Sequence, residues 1–172
     1  SSTHHGQEDE YGLSSPERFA EYAVECREKG FVGFKIHGWH DGNRKREAAN
    51  ILAVRKAVGR DMEIMVDMGS DLRTFADALF VGRACDEAEC FWYEDPYRDG
   101  SVSAFSHKML RDRLKTPLLI TEHVRGPEQK ASFLVNGGCD YIHLDPEYDM
   151  GITGAMKIAH MAEALGVVTH TI

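Results

Sequence analysis

Residues 91–96 read FWYEDP. Three aromatic residues, all good strand formers, run directly into two acids, Glu94 and Asp95, and then into a proline that cannot extend a hydrogen-bonded ladder. A strand this apolar belongs in a core. Carboxylates at its end are either solvated at the rim of a sheet or put to use, and the neighbouring segments decide between the two.

Working outward in both directions, strand-like and helix-like runs alternate. FVGFKIHG (31–38), MEIMVDMG (62–69), CFWYEDP (90–96), TPLLITE (116–122), CDYIHLD (139–145) and VVTHTI (167–172) read as strands. Between them, REAANILAVRKAVG, LRTFADALFVGRACDEA, AFSHKMLRDRL, GPEQKASFLVNGG and GITGAMKIAHMAEALG carry helical periodicity, several closing on glycine. One more helix stands in front, over 16–29, with Ser15 as N-cap, Pro16 at the first helical position and Gly30 as its stop. Strict alternation of this kind predicts βαβ units, a parallel sheet and helices covering its faces. No linker or low-complexity tract divides the chain.

Composition narrows the partners. With 42% apolar and 28% charged residues the chain suits a globular domain with a real core, and its net charge of −8 disfavours nucleic acid or an anionic membrane surface. No apolar run approaches the ~20 residues of a membrane span, and the polar start SSTHHGQEDEYG has no signal-peptide core. Cys26, Cys85, Cys90 and Cys139 form no CxxC pair and are expected to be buried free thiols, which points to a cytoplasmic protein.

The acids of FWYEDP are not isolated. Lys35 and His37, Asp67, Glu94, Glu122, Asp145 and His170 stand at or near the C-terminal ends of successive strands, spaced by about 30 residues, one βα unit. In a (β/α)₈ barrel these ends form the mouth where chemistry is done. Side-chain alternation places Lys35 with His37, Asp67 with Met65, Glu94 with Trp92, Glu122 with Ile120, Asp145 with His143 and His170 with Val168. Asp67, Glu94 and Glu122 are expected to converge. Three carboxylates brought together repel unless a cation joins them, and hard oxygen ligands suit Mg²⁺. Asp145 beside His170 suits an oriented imidazole acting as general base or acid. Lys35 and His37 sit across the mouth, an arrangement suited to removing a proton alpha to a metal-bound carboxylate. A GxGxxG or P-loop sequence, which a nucleotide-binding open sheet would need, is absent.

These residues resemble the enolase superfamily, specifically its mandelate racemase-like members. The resemblance is carried by FKIH, VDMG, YEDP, ITEH, HLDP with GITGAMKIAHMAEALGV, and THT. It implies a partial TIM barrel of parallel strands with outer helices, with residues 1–172 a fragment of the catalytic barrel domain covering roughly strands two to seven. On this resemblance, the first strand is expected to be missing or reduced to SSTHH, and the capping domain and eighth strand to lie outside these residues. It implies Mg²⁺ on Asp67, Glu94 and Glu122, and an Asp145–His170 dyad. Lys35 matches the first lysine of the family's K-x-K motif, and His37 replaces the second. The expected reaction is Mg²⁺-dependent dehydration of a sugar acid to a 2-keto-3-deoxy acid. A racemase or epimerase of a 2-hydroxy acid and an inactive metal-binding barrel fragment are the alternatives. A small carboxylate substrate and homo-oligomerisation of the native-length protein are further expectations.

His143, Arg125 and His123 are candidate substrate contacts. Trp39, His40 and Asn43 are placed to shape the pocket. Phe91 and Tyr93 are expected against helices, and His4, His5, His107 and His160 on the surface.

Overall fold

The computed structural model describes residues 12–39, 41–97 and 103–171. SSTHH, His4, His5 and His40 lie outside the described residues. The elements alternate as expected: α1 (Pro16–Glu28), β1 (Gly33–His37), α2 (Arg44–Val58), β2 (Glu63–Asp67), α3 (Phe75–Glu87), β3 (Trp92–Glu94), α4 (Ala104–Arg111), β4 (Leu118–Ile120), α5 (Pro127–Val135), β5 (Tyr141–Leu144), α6 (Gly151–Ala164) and β6 (Val168–Thr171). All five strand pairings are parallel and the order is sequential, β1 to β6. Sequential parallel strands, each joined to the next through a helix, give the arc of a (β/α) barrel.

Local chemistry sets the boundaries. Ser15 accepts from the Arg18 N–H at the start of α1, Asn43 does the same for Arg46 in α2, and Thr74 for Asp77 in α3, each such cap contributing about 1 kcal/mol. Asn43 therefore serves as a helix cap. Trp39 is likewise structural: its ring packs edge-on against Phe19 at 4.9 Å and its Nε1–H donates to the Leu13 carbonyl.

Register separates two faces. Phe34, Ile36, Ile64, Val66 and Tyr93 are fully buried under the helices, each large aliphatic side chain contributing about 2 kcal/mol. Their neighbours Gly33, Lys35, His37, Met65 and Trp92 are half-buried and lie on the opposite, concave face. Tyr93 donates its hydroxyl to the Ala78 carbonyl of α3. Phe91, expected under a helix, is instead 44% exposed and stacks on Tyr141; it lies just before β3 begins at Trp92, so it does not follow Tyr93 under the helices. His107 was expected on the surface but is buried between Tyr97 and Phe133, where burial lowers its pKa to about 4. His160 is exposed as expected. The four cysteines are free and buried. No helix among the described residues is long and apolar enough to cross a membrane.

Candidate functional site

The ionisable strand ends meet at the C-terminal rim of the sheet. β1 and β2 place His37 level with Asp67, and β2 and β3 place Asp67 level with Glu94. Lys35 Nζ reaches Asp67 Oδ2 at 3.0 Å and Glu94 Oε2 at 3.3 Å. His37 Nε2 stands 3.6 Å from the same Asp67 oxygen. Glu94, almost wholly buried, is the hub. Its Oε2 also accepts the Trp92 Nε1–H at 3.0 Å, and its Oε1 lies 3.0 Å from His143 Nε2.

Electrostatics follow from this geometry. Burial works against the Lys35 charge, but Asp67 and Glu94 outweigh it and raise the pKa. Burial likewise opposes ionisation of Glu94, while the His143 hydrogen bond and the Lys35 charge prevail and hold it below the usual carboxylate value. His170 is lowered, first by burial and then by His143, which favours a neutral ring able to accept a proton.

Glu122 reaches the site by a route the sequence did not disclose. In the ladder, Ile120 pairs with Ile142 and is buried on the helix side, whereas Leu119 is level with Glu94. Continued alternation from Ile120 would send Glu122 towards the helices. β4 ends at Ile120, however, and Thr121 adopts φ +81°, which breaks the alternation. Asp95, itself at φ +32°, catches the turn: its carboxylate accepts the Thr121 N–H at 2.8 Å and the Glu122 N–H at 3.0 Å. Burial lifts the Asp95 pKa to about 7 against these two donors. The second acid of FWYEDP thus delivers the side chain from the next strand.

A donor atom of Glu94, one of Glu122 and one of His143 lie within 4.8 Å of one another, a set that fits a divalent cation. Asp67 stands beside this set with both oxygens engaged, Oδ2 by Lys35 and Oδ1 by the Gly69 N–H. Among the described residues no hydrogen bond joins Asp145 to His170. Asp145 Oδ1 accepts the Glu147 N–H at 2.8 Å, turning the chain towards α6, and the buried His170 Nδ1 has no partner among the described residues. The His170 ring packs edge-on against Trp92 and His143, at 5.1 and 5.2 Å. His123 Nε2 lies 3.7 Å from Glu122 Oε1, while Arg125 stacks over Tyr148, 4.5 Å from its ring centre.

One supporting contact has no counterpart in the sequence reading. Lys130 of α5 and Asp149, which follows β5, are both fully buried, with Lys130 Nζ 2.8 Å from Asp149 Oδ1. The approach to that oxygen is off the direction of a hydrogen bond, so the contact is ionic. Lys130 Nζ also donates to the His143 carbonyl at 2.9 Å, and Asp149 Oδ2 accepts the Asp145 N–H at 2.9 Å. The pair fixes the main chain on both sides of Leu144. A lysine one turn into a helix followed by an acid 19 positions later gives no local signal.

A parallel arc of βα units with carboxylates, a lysine and imidazoles at its C-terminal rim is part of a barrel domain whose mouth gathers side chains that could hold a cation. The family described as "Enolase C-terminal domain-like" matches residues 18–171, and the chain belongs to it. N-succinyl-L-Arg/Lys racemase of Bacillus cereus is 28% identical over 155 residues, covering 90% of this chain and 41% of that protein. D-gluconate dehydratase of Thermoproteus tenax is 26% identical over 164 residues, covering 91% and 32%. D-glucarate dehydratase of Agrobacterium tumefaciens, solved as a complex with magnesium, superimposes with a TM-score of 0.88 at 30% identity, over 99% of this chain and 45% of that one. The chain spans less than half the length of each of these proteins.

Proposed function

We propose that residues 1–172 are part of a barrel catalytic domain that removes the proton alpha to the carboxylate of a small acid, and that the reaction is dehydration of a sugar acid. The observation that carries this reading is the rim itself: Glu94 and Glu122 gathered within donor distance of His143, with Asp67 and Lys35 beside them and imidazoles on the flanking strands. The donors are mostly hard oxygens, which suits Mg²⁺. Glu94 and Glu122 would hold the ion, with Asp67 adjacent. When bound, it neutralises charge that builds on the substrate carboxylate as the α-proton leaves.

The chain's own residues supply the rest. Lys35, kept protonated by its two carboxylates, balances negative charge at the substrate carboxylate. His170, on the last strand, is depressed towards its neutral form and is the candidate base, with Asp145 close by on the preceding strand. His37, on the first strand, is the candidate acid for the departing hydroxyl. His123 and Arg125 lie on the loop after β4, from which a hydroxylated substrate can be contacted. The sugar-acid dehydratases among the relatives support this assignment.

A second reading shares the same first step. His37 on β1 and His170 on β6 stand at opposite ends of the sheet, as two-base inversion of a stereocentre requires, and a racemase is among the relatives. One experiment separates the two. The full-length protein is incubated with a panel of sugar acids and Mg²⁺ in D₂O. A 2-keto product that vanishes in Glu94→Gln is the expected result. α-Deuteration without keto product assigns the racemase. Neither signal, with cation binding demonstrated, refutes both.

A further inference from the structure

Glu47 lies outside the rim, yet its one hydrogen bond reaches the segment that leaves it. It stands in the first turn of α2 and is 3% exposed. Taking a carboxyl group out of water is unfavourable unless a hydrogen bond replaces the water. Here Oε1 accepts the Trp39 N–H at 2.8 Å, while the buried Oε2 has no partner among the described residues. The side chain therefore makes a single contact, with main chain two residues beyond His37.

That contact decides how the chain leaves β1. The Gly38 N–H donates to the Asp67 carbonyl at 2.8 Å, which prolongs the β1–β2 ladder by one residue. The Trp39 N–H then turns away from the sheet towards α2 and Glu47. Gly38 lies directly against the same carboxyl group: a Cβ there would stand 3.3 Å from Glu47 Oε1 and 3.2 Å from Met68 Cε. From α2, Arg46 also covers the Trp39 ring, 4.3 Å from its centre. His37 is the residue immediately before this clamp, with its Nε2 3.6 Å from Asp67 Oδ2.

We propose that Glu47 is a positioning residue, which through the Trp39 N–H fixes the exit of β1 and so aims the His37 imidazole at the substrate. The assignment rests on the reaction given under Proposed function, in which His37 is the acid for the departing hydroxyl, and adds the group that orients it. Lys35 depends on Glu47 less, because it lies inside the ladder opposite Met65 and its Nζ is held by Asp67 and Glu94. His170 stands on β6, at the other end of the sheet. Loosening the exit of β1 thus disturbs one of the two imidazoles and leaves the other in place. A misplacement of about 1 Å at a reacting group can cost about 10²-fold in rate.

The test incubates full-length protein and Mg²⁺ with the panel of sugar acids in D₂O, and follows α-deuteration and 2-keto product in the same sample. Their ratio does not depend on how much of the protein is folded. Glu47→Met keeps the length of the side chain and removes the acceptor, whereas Glu47→Gln keeps the acceptor. The expected result is keto product per α-deuteration falling by about tenfold or more in Glu47→Met and staying within about twofold of wild type in Glu47→Gln. Glu47→Asp, one methylene too short to reach the Trp39 N–H, reads the same fall if Glu47→Met does not fold. Equal loss of both signals, or an unchanged ratio, overturns the inference and leaves the dehydratase standing. If the wild type deuterates without forming keto product, the same geometry requires a selective loss of exchange from the antipode whose proton His37 removes, and equal loss from both antipodes overturns it. If the wild type gives neither signal, the reaction itself is refuted and this inference falls with it.

Discussion

Replacing Lys130 by methionine tests whether the buried ion pair holds the rim. Methionine keeps the length and apolar stem of lysine but leaves the Asp149 carboxylate without its counter-charge, at a position with no solvent exposure. Removing one partner of a buried pair costs about 3–5 kcal/mol, because the remaining charge is stranded. The lost donor to the His143 carbonyl adds to the same total. For a chain of 172 residues, 1 kcal/mol moves Tm by about 2–4 °C, so a fall of roughly 10 °C is expected. Thermal unfolding followed by circular dichroism measures it, with urea midpoints as a check. Adding Asp149→Asn removes the stranded charge while keeping an acceptor for the Asp145 N–H, and should restore much of the loss. A Lys130→Met variant within about 1 kcal/mol of wild type, or a double variant as unstable as the sum of the singles, would refute the reasoning.

Two further outcomes are expected. Glu47 of α2 is buried, and burial raises its pKa to about 7 from 4.5 even though its Oε1 accepts the Trp39 N–H. The native state therefore binds this proton more tightly than the unfolded chain does, and stability falls as pH rises from about 4.5 to about 7. Glu47→Gln should match wild type near pH 4.5 and exceed it at pH 8 by up to about 3 kcal/mol, read from urea midpoints at the two pH values; a constant difference contradicts the burial argument. Gly154→Ala should destabilise by about 1–3 kcal/mol despite alanine's better helix propensity, since its Cβ would fall 1.5 Å from the Asp149 carbonyl oxygen and main chain must move. A rise in Tm would show that the turn before α6 yields freely.

The architecture was legible because period and punctuation agree along the whole chain. Each strand is a short apolar run, and α1 has both an N-cap and a glycine stop where the sequence suggested them. The candidate site was legible as positions rather than as contacts. Lys35, His37, Asp67 and Glu94 come together because they lie on adjacent strands in direct register, which alternation does predict. Glu122 reaches the rim for a different reason, because one left-handed residue cancels the alternation, and neither Thr121 nor Asp95 announces that turn in sequence. Asp145 and His170 occupy neighbouring strands, yet Asp145 is drawn into its own turn. His107 illustrates the converse: a polar residue on an amphipathic helix reads as surface until tertiary packing places aromatic rings on both sides.

The ammonium group of Lys35 lies between Asp67 and Glu94, and this bears on the order in which the protein is assembled. Two of the acids most opposed to being together are reconciled by a cation the chain carries itself. The rim can therefore close as the polypeptide folds, without waiting for an ion from solution. On the cation reading proposed above, an ion entering here would compete with a tethered amine, one positive charge exchanged for another.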